Sequence, residues 1–261
     1  MLAVQVVNYR TRGYLERCLA TVATDVARCA LDYEINLLDN DSGENLDDLA
    51  AGIAFCRAFV APSNLGFGAG HNLLATNTAA QYLLILNPDV ELLVPGTIKR
   101  LLDQLRSDPA IKVIGPKLLN ADGGAQPYDH GELHGLRAQI SLRGGHSYWR
   151  ETFQREEVAW VSGAAMLIDR AAFDAVGGFD ENLFLYKEDE DLCLRLREAR
   201  GIVVYEPAEV IRHQGSVVTH RPAELATASS YFIQKHFPNS HTQRLFAAVH
   251  RWLPYLGFDR S

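Results

Sequence analysis

Short apolar runs alternate with amphipathic segments over the first 120 residues of the chain. The runs are too short for buried helices and predict buried strands, whereas the segments between them repeat apolar residues at helical spacing. In the segment at 14–27, for example, Leu15, Leu19, Val22 and Val26 share one face. The apolar runs lie at 2–8, 33–39, 56–61, 81–87 and 111–119. Strands that alternate with helices in this way predict an α/β fold with a mostly parallel, Rossmann-like sheet flanked by helices.

The alternation of apolar runs and amphipathic segments ends at residue 119. Residues 120–157 are rich in Gly, His and Arg and weakly patterned, which predicts a long loop or a small insertion. Order returns from 158 to 213, and residues 221–261 have a helical pattern. We therefore expect one domain over 1–220, with halves at 1–119 and 120–220, followed by a C-terminal helical extension.

Composition and charge narrow the classes of function. The chain has 261 residues, 48% of them hydrophobic, and a formal net charge of -7, which argues against nucleic acid as a partner. Its four cysteines fit neither a zinc-site spacing nor a disulfide framework. No signal-peptide pattern opens the chain, and no run approaches the roughly 20 apolar residues of a membrane span. These features predict a cytoplasmic protein, with contact to the inner face of the plasma membrane as the alternative.

Polar residues follow the ends of the predicted strands. In open α/β sheets, ligands bind beyond the carboxyl ends of the strands, so these residues are candidates for nucleotide contacts. The group comprises Asn8, the stretch 39–42, Asn64 with the glycines that follow it, and Asn87-Pro88-Asp89. The glycines come after the third strand and lack GxGxxG spacing, which argues against a dinucleotide-binding dehydrogenase.

These stretches, in this order, resemble family-2 glycosyltransferases, and most closely the bacterial rhamnosyltransferase-like branch. The resemblance covers about residues 3–216 and implies the GT-A fold, a nucleotide-diphosphate-sugar donor, a divalent metal ion and inversion at the anomeric carbon. It rests on VVNYRTRGYLERCL, LLDNDSGEN, NLGFGAGHN, LLILNPDVELL, VSGAAMLIDRAAFDAVGGFDENLFLYKEDEDLCLRLREARG and VVYEPAEVIRHQGS.

The resemblance implies a metal site at Asp89 and His213. Asp89 matches the second acid of the family's D-x-D motif, and His213 follows the last strand where similar enzymes have a metal-ligating histidine. Asn87 replaces the first acid, so we expect the donor diphosphate to complete the coordination. A nitrogen ligand favours Mn²⁺ somewhat over Mg²⁺.

The resemblance also implies a base and a donor pocket. Asp189, the second acid of the ED pair, would accept the proton of the acceptor hydroxyl, and Glu188 would shape the acceptor site or the start of the helix. Acids in a first turn also stabilise a helix, which is the alternative explanation for this cluster.

The resemblance implies three sets of donor-binding residues. Asn8 and Asp39 would lie near the base and ribose with Asp41 at the edge, which favours UDP or dTDP because a carboxylate accepts an imide N–H. The residues implied on the sugar and phosphate side are Asn64, Gly66, Gly70 and Asn72. Asn87 would hydrogen-bond a ribose or a water, and Ser162 with Gly163 would form the floor.

The sequence gives less information about the acceptor than about the donor. Lipid-linked glycans are typical acceptors of polysaccharide enzymes that resemble this chain. The segment 244–258 places Leu245, Val249, Trp252 and Leu256 on one helical face, typical of an interfacial helix or of one packed on its own domain or on a homodimer partner. Three alternatives stay open: a UDP-hexose or UDP-galactofuranose donor, a non-catalytic nucleotide-sugar scaffold, and a nucleotidyltransferase.

Overall fold

A mixed sheet of nine strands lies at the centre of the protein, in a computed structural model that describes residues 1–28, 32–144, 146–215 and 221–238. Its strands are β1 (Leu2–Asn8), β2 (Tyr33–Asp39), β3 (Cys56–Val60), β4 (Tyr82–Leu86), β5 (Val90–Leu92), β6 (Ile111–Leu119), β8 (Glu156–Glu157), β10 (Ala165–Asp169) and β11 (Ile202–His213). A separate pair joins β7 (His130–Gly131) to β9 (Trp160–Val161).

Helices cover both faces of this sheet. They are α1 (Arg12–Val26), α2 (Asp47–Ala51), α3 (Phe67–Thr76), α4 (Thr97–Ser107), α5 (Leu136–Arg143), α6 (Arg170–Ala175), α7 (Glu188–Glu198) and α8 (Pro222–His236). Successive side chains of a strand point to opposite faces. Val4 of β1 accordingly packs in the core with Leu15 of α1, whereas the adjacent Ala3 packs in a second core with Leu192 of α7.

The strand order is β3-β2-β1-β4-β10-β6-β11-β5, with β8 also pairing β11. The first four strands are parallel, as the alternating pattern predicts, and β6 is parallel to β11. In contrast, β10 is antiparallel to both β4 and β6, and β5 is antiparallel to β11. The sheet is therefore mixed, and its antiparallel β10 starts at the edge where β4 ends.

A buried carboxylate fixes one helix start. Gly96, Thr97 and Ile98 donate their backbone N–H groups to Asp25, which is 2% exposed and comes from α1. A helix leaves its first N–H groups without intrahelical partners, so this carboxylate caps α4 from a distant part of the chain. The contact ties α1 to α4 on one face of the sheet.

The segment expected to be a loop or insertion contains β7, α5 and β8. In the C-terminal extension, the structure has α8, while the segment at 244–258 lies outside the described residues. Among the helices that are described, none is long and apolar enough to cross a membrane.

Candidate active site

Asp89 and His213 meet at the carboxyl-terminal edge of the sheet. Asp89 follows β4 and His213 ends β11, and Asp89 Oδ1 lies 3.3 Å from His213 Nε2. The backbone holds the aspartate in place, because Gly215 N–H donates to Oδ2 at 3.1 Å and Gln214 N–H donates to its carbonyl. Both residues are buried, at 7% and 9% exposed respectively.

The ring of His213 is oriented through both of its nitrogens. Nδ1 lies 2.9 Å from Gln126 Oε1, which can only accept, so Nδ1 carries the proton. Nε2 faces Asn87 Nδ2 at 3.1 Å and Asp89 Oδ1 at 3.3 Å. Gln126 is not among the residues that the sequence patterns indicate, because it lies in the weakly patterned segment after β6.

These two side chains fit a divalent cation. One oxygen and one nitrogen 3.3 Å apart can both reach an ion at ordinary ligand distances of about 2.0–2.2 Å. Asn87 adds no negative charge and directs its amide group at His213 instead of supplying a second carboxylate. The protein thus offers a partial ligand set, which a bound diphosphate would have to complete.

Asp189 lies in the first turn of α7 and is joined to the same edge of the sheet. Its Oδ2 accepts the N–H of Gly163 at 2.9 Å, and the neighbouring Ala164 accepts the N–H of Asn87 at 2.9 Å. A side chain at Gly163 would meet Phe67 at 3.0 Å and the Asp189 Cβ at 3.6 Å, so glycine allows this close approach. The backbone at 163–164 therefore connects the proposed base to the Asn87-Pro88-Asp89 turn.

The acids at the start of α7 differ in environment. Burial, followed by the charge of Glu190, raises the pKa of Asp189 to about 6. Burial and then the charge of Asp189 raise the pKa of Glu188 well above its ordinary value, and within the described structure its Oε2 has no hydrogen-bond partner. Glu188 packs near Gly68 of α3. Glu190 is instead paired with Lys187 at 2.6 Å.

The glycine loop at 64–66, where donor contacts are expected, is joined to the segment before α7. Asn40 donates to Asn64 Oδ1 and to the carbonyl of Gly66, both at 3.1 Å, and its own Oδ1 accepts from Leu65 N–H. Gly66 has φ +84, and a Cβ there would lie 2.2 Å from the carbonyl oxygen of Phe184. Asn40 organises this loop, although the sequence patterns do not single it out from the neighbouring Asp39 and Asp41.

The predicted base and ribose residues lie at the ends of β1 and β2. Asn8 is buried, donates to Glu44 at 2.8 Å and accepts from Thr11 Oγ1. Asp39 is 3% exposed, and its two oxygens accept from Ser42 and from Gly43 N–H. Asp41 is exposed and left-handed, with φ 64. In this structure Asp39 holds the turn that carries Asp41.

Two residues expected on the sugar side also have packing contacts in this structure, and their part in donor binding stays a prediction. Gly70 is buried under α3, where a Cβ would meet Val7 and Leu38 at 3.0–3.3 Å, so it serves the packing of the helix on the sheet. Asn72 donates to the carbonyl of Phe179 and accepts its N–H, each at 2.9 Å, and so fixes the turn before α7. The sequence pattern around the glycines did not indicate which face of α3 packs on the sheet.

Ser162 and Gly163, expected at the floor of the donor site, lie just before β10 at the edge of the sheet where β4 ends. Ser162 Oγ accepts the N–H of Ala164 at 3.2 Å, and the Ser162 N–H donates to the carbonyl of Asp129. A cavity of about 340 Å³ opens farther out, between the segment before α7 and α8. Phe184 and Tyr231 line this cavity, and Phe184 also accepts the N–H of Phe67 at 3.0 Å. The cavity is therefore adjacent to the glycine loop.

Comparison with known proteins gives one family and several relatives. The glycosyltransferase-like family 2 pattern matches residues 2–235. A relative in Mycobacterium tuberculosis, N-acetylglucosaminyl-diphospho-decaprenol L-rhamnosyltransferase, is 30% identical over 250 residues, which cover 85% of this chain and 79% of the relative.

Solved structures share the fold at low sequence identity. GalNAc-T7, crystallised with UDP, GalNAc and Mn²⁺, superposes with a TM-score of 0.62 at 15% identity, over 82% of this chain and 43% of that one. A mannosyltransferase from Pyrobaculum calidifontis, in complex with GDP-Man and Mn²⁺, gives 0.57 at 11% identity, over 95% and 73%. At such identities the likeness concerns the fold, and it confirms the expected GT-A arrangement.

Proposed function

Because the chain belongs to glycosyltransferase-like family 2, we propose that it moves a sugar from a nucleotide-diphosphate-sugar to a hydroxyl group of a glycan or lipid-linked glycan in cell-surface polysaccharide synthesis. The observation that supports this best is the meeting of Asp89, His213 and Asp189 at one edge of the sheet. The 30% identical rhamnosyltransferase makes L-rhamnose, carried by dTDP, the first candidate donor sugar. A UDP-hexose or UDP-galactofuranose is the alternative on the same site.

Asp189 is the proposed catalytic base. The acceptor oxygen forms a bond to the anomeric carbon while the bond from that carbon to the diphosphate breaks. The diphosphate leaves with the electron pair, and the proton of the acceptor hydroxyl passes to Asp189. Attack from the face opposite the diphosphate inverts the anomeric centre, and no covalent enzyme intermediate is required. A raised pKa suits this role, because a base works best when its pKa is near the operating pH.

Asp89 and His213 are the proposed ligands of a divalent cation, Mn²⁺ or Mg²⁺. Such an ion neutralises the negative charge that develops on a diphosphate leaving group. The chain's own part is to hold one carboxylate and one oriented imidazole 3.3 Å apart, with Gln126 fixing the ring. Since Asn87 brings no charge, we propose that metal and donor bind together.

The cavity lined by Phe184 and Tyr231 is the proposed acceptor side. Aromatic rings beside polar groups suit the apolar faces and hydroxyl groups of sugars. Asn182 supplies a polar side chain in the same lining.

The test is a donor panel followed by a transfer assay. Thermal shifts are recorded with dTDP-L-rhamnose, UDP-glucose, UDP-galactose and UDP-galactofuranose, each with and without Mn²⁺, because stabilisation follows affinity and concentration. We expect the largest shift with dTDP-L-rhamnose plus Mn²⁺. Transfer to a short-chain polyprenyl-diphospho-N-acetylglucosamine is then followed by mass spectrometry.

The matched variant is Asp189→Asn. We expect it to bind the donor as the wild type does and to lose at least about 100-fold in transfer rate, which is the usual scale for a general base. A larger rise in melting temperature with a UDP-sugar would mean that the donor sugar is not rhamnose. The assignment of the reaction as glycosyl transfer would stand. A flat panel, or full activity of Asp189→Asn, would contradict the proposed function or the proposed base respectively.

A further inference from the structure

A second cluster of ligand-type side chains lies away from the Asp89–His213 pair. His130 of β7, Glu132 just after it and Glu156 of β8 each place one ligand atom within 4.8 Å of the others. The His130 ring stacks on Tyr205 at 4.0 Å between centroids. Tyr205 precedes His213 in β11, and the ladder with β6 separates the two by a distance on the order of 15 Å.

His130 has the arrangement of a histidine prepared to ligate a metal ion. It is fully buried, and its Nδ1 lies 2.7 Å from Asp129 Oδ1. The Asp129 carboxylate also accepts from Trp149 Nε1 and from the hydroxyl of Tyr205, each at 2.9 Å. Asp129 thus accepts hydrogen bonds from several donors. The proton of its bond with His130 is therefore on the histidine Nδ1. Nε2 is left with its lone pair, and no group in the described parts of the chain pairs with it.

The two glutamates supply charge to the same place. Each has a buried Oε1 that accepts no hydrogen bond of regular geometry from the described residues. The cation beside them is Arg150, whose Nε lies 2.8 Å from Glu132 Oε1 and whose guanidinium lies 3.6 Å from Glu156 Oε1. The arginine side chain is 55% exposed, so it can leave this position without unpacking the core.

In metal sites, a carboxylate commonly accepts a hydrogen bond from the histidine nitrogen that does not bind the metal. This contact fixes the tautomer and orients the ring. One imidazole with two carboxylates is a nitrogen and oxygen set that suits zinc and similar first-row ions better than Mg²⁺ or Ca²⁺. The two carboxylates carry two negative charges, which a divalent ion balances when Arg150 moves away.

We propose that His130, Glu132 and Glu156 form a second divalent transition-metal site, with Zn²⁺ as its first candidate, and that Arg150 occupies the cation position when the metal is absent. The site is structural. It joins the two ends of the segment between Glu132 and Glu156, and so fixes β7 and β8 against β9 and β11. A cross-link that closes a long segment stabilises the folded state by restricting the unfolded one.

The experiment measures Zn²⁺ affinity and stoichiometry by isothermal titration without nucleotide, in the Asp89→Asn background so that the first site does not contribute. We expect one Zn²⁺ per chain. Glu132→Gln and Glu156→Gln keep the shape of the side chains and should each weaken binding by about 10-fold or more. The matched control is Glu151→Gln, which removes a neighbouring acid paired with Lys117 and should leave the affinity unchanged.

Arg150→Ala separates the proposal from a simple ion-pair cluster. If a metal competes with the arginine, this variant binds Zn²⁺ more tightly by about 5-fold or more and gains thermal stability when Zn²⁺ is added. If the cluster is only an ion pair, Arg150→Ala loses stability that Zn²⁺ does not restore. Unchanged Zn²⁺ affinity in the two glutamate variants would likewise overturn the proposal.

Discussion

The groups around Asp189 set the pKa of its carboxyl group. Burial and the charge of Glu190 both disfavour its ionised form, while N–H groups of Gly163 and Glu190 favour that form by donating to it. The result is a pKa of about 6 where an ordinary aspartate has 3.8. Since the folded pKa lies above the unfolded value, stability is lost as the pH rises from about 3.8 through about 6, and the full loss is present above that. Asp189→Asn should therefore melt at the same temperature as the wild type or a higher one.

The same balance predicts the pH dependence of the reaction. A base must be ionised, so kcat/KM should fall as the pH drops through about 6. Glu190→Gln removes a negative neighbour and should move this acidic limb to lower pH. The measurement is a pH profile of kcat/KM for the wild type, Glu190→Gln and the exposed control Asp103→Asn. A limb that does not move in Glu190→Gln would mean that another group controls it.

At the residue scale, the chemically distinctive positions could be predicted from the sequence. Asp89, Asp189 and His213 stand in motifs, and the structure brings them to one edge of the sheet, although their roles stay predictions. Gln126 and Asn40 could not be predicted, because amide side chains are ordinary in loops and only tertiary contacts show their partners. Gly70 and Asn72 contact the sheet and Phe179, which the sequence did not indicate, and their part in donor binding stays a prediction.

At the level of elements, the glycine loop and the segment before α7 are joined backbone to backbone. Gly66 has φ +84, and its missing side chain leaves the space that the Phe184 carbonyl occupies. The N–H of Phe67 donates to that same carbonyl at 3.0 Å. Any side chain at position 66 must push the two segments apart.

Gly66→Ala should therefore lower stability and weaken donor binding together. Its matched control is Gly123→Ala, with φ +86 and no atom of the described chain within 4 Å of the added carbon. The control carries only the left-handed strain of about 1–2 kcal/mol, which corresponds to roughly 2–8 °C in Tm. Thermal unfolding and donor titration should show a larger loss for Gly66→Ala, and equal losses would contradict the clash.

Element boundaries followed from the sequence wherever a long apolar run was buried. The runs at 2–8, 33–39 and 111–119 are strands with those bounds. The short elements β7, β8 and α5 were not predicted as such. Strands of two residues have no periodicity of their own and exist only because a neighbouring strand pairs with them. The antiparallel direction of β10 is likewise a tertiary property.

At the level of the whole molecule, the sheet interleaves the two halves of the chain. In the second half, β10 lies between β4 and β6 of the first half, and β11 lies between β6 and β5. The two halves therefore share one continuous sheet, although the sequence pattern changes at residue 120.

A fragment of residues 1–119 should accordingly fail to fold, because β6 would lack both of its partner strands. The intact chain should unfold in a single transition. Circular dichroism and amide hydrogen exchange of the fragment and of the whole chain provide the measurement, with residues 1–238 as the matched longer control. Native-like exchange protection of β6 in the short fragment would contradict this interpretation of the sheet.

The position of β10 also has a consequence during translation. A ribosome adding about 5–20 residues per second needs several seconds to proceed from the end of β6 to the end of β10. During that interval β4 and β6 have emerged with their shared neighbour still unmade, which leaves two hydrophobic strand edges open to wrong pairing. We therefore expect the nascent chain to be prone to wrong strand pairing, and to benefit from chaperones, in that stretch of synthesis.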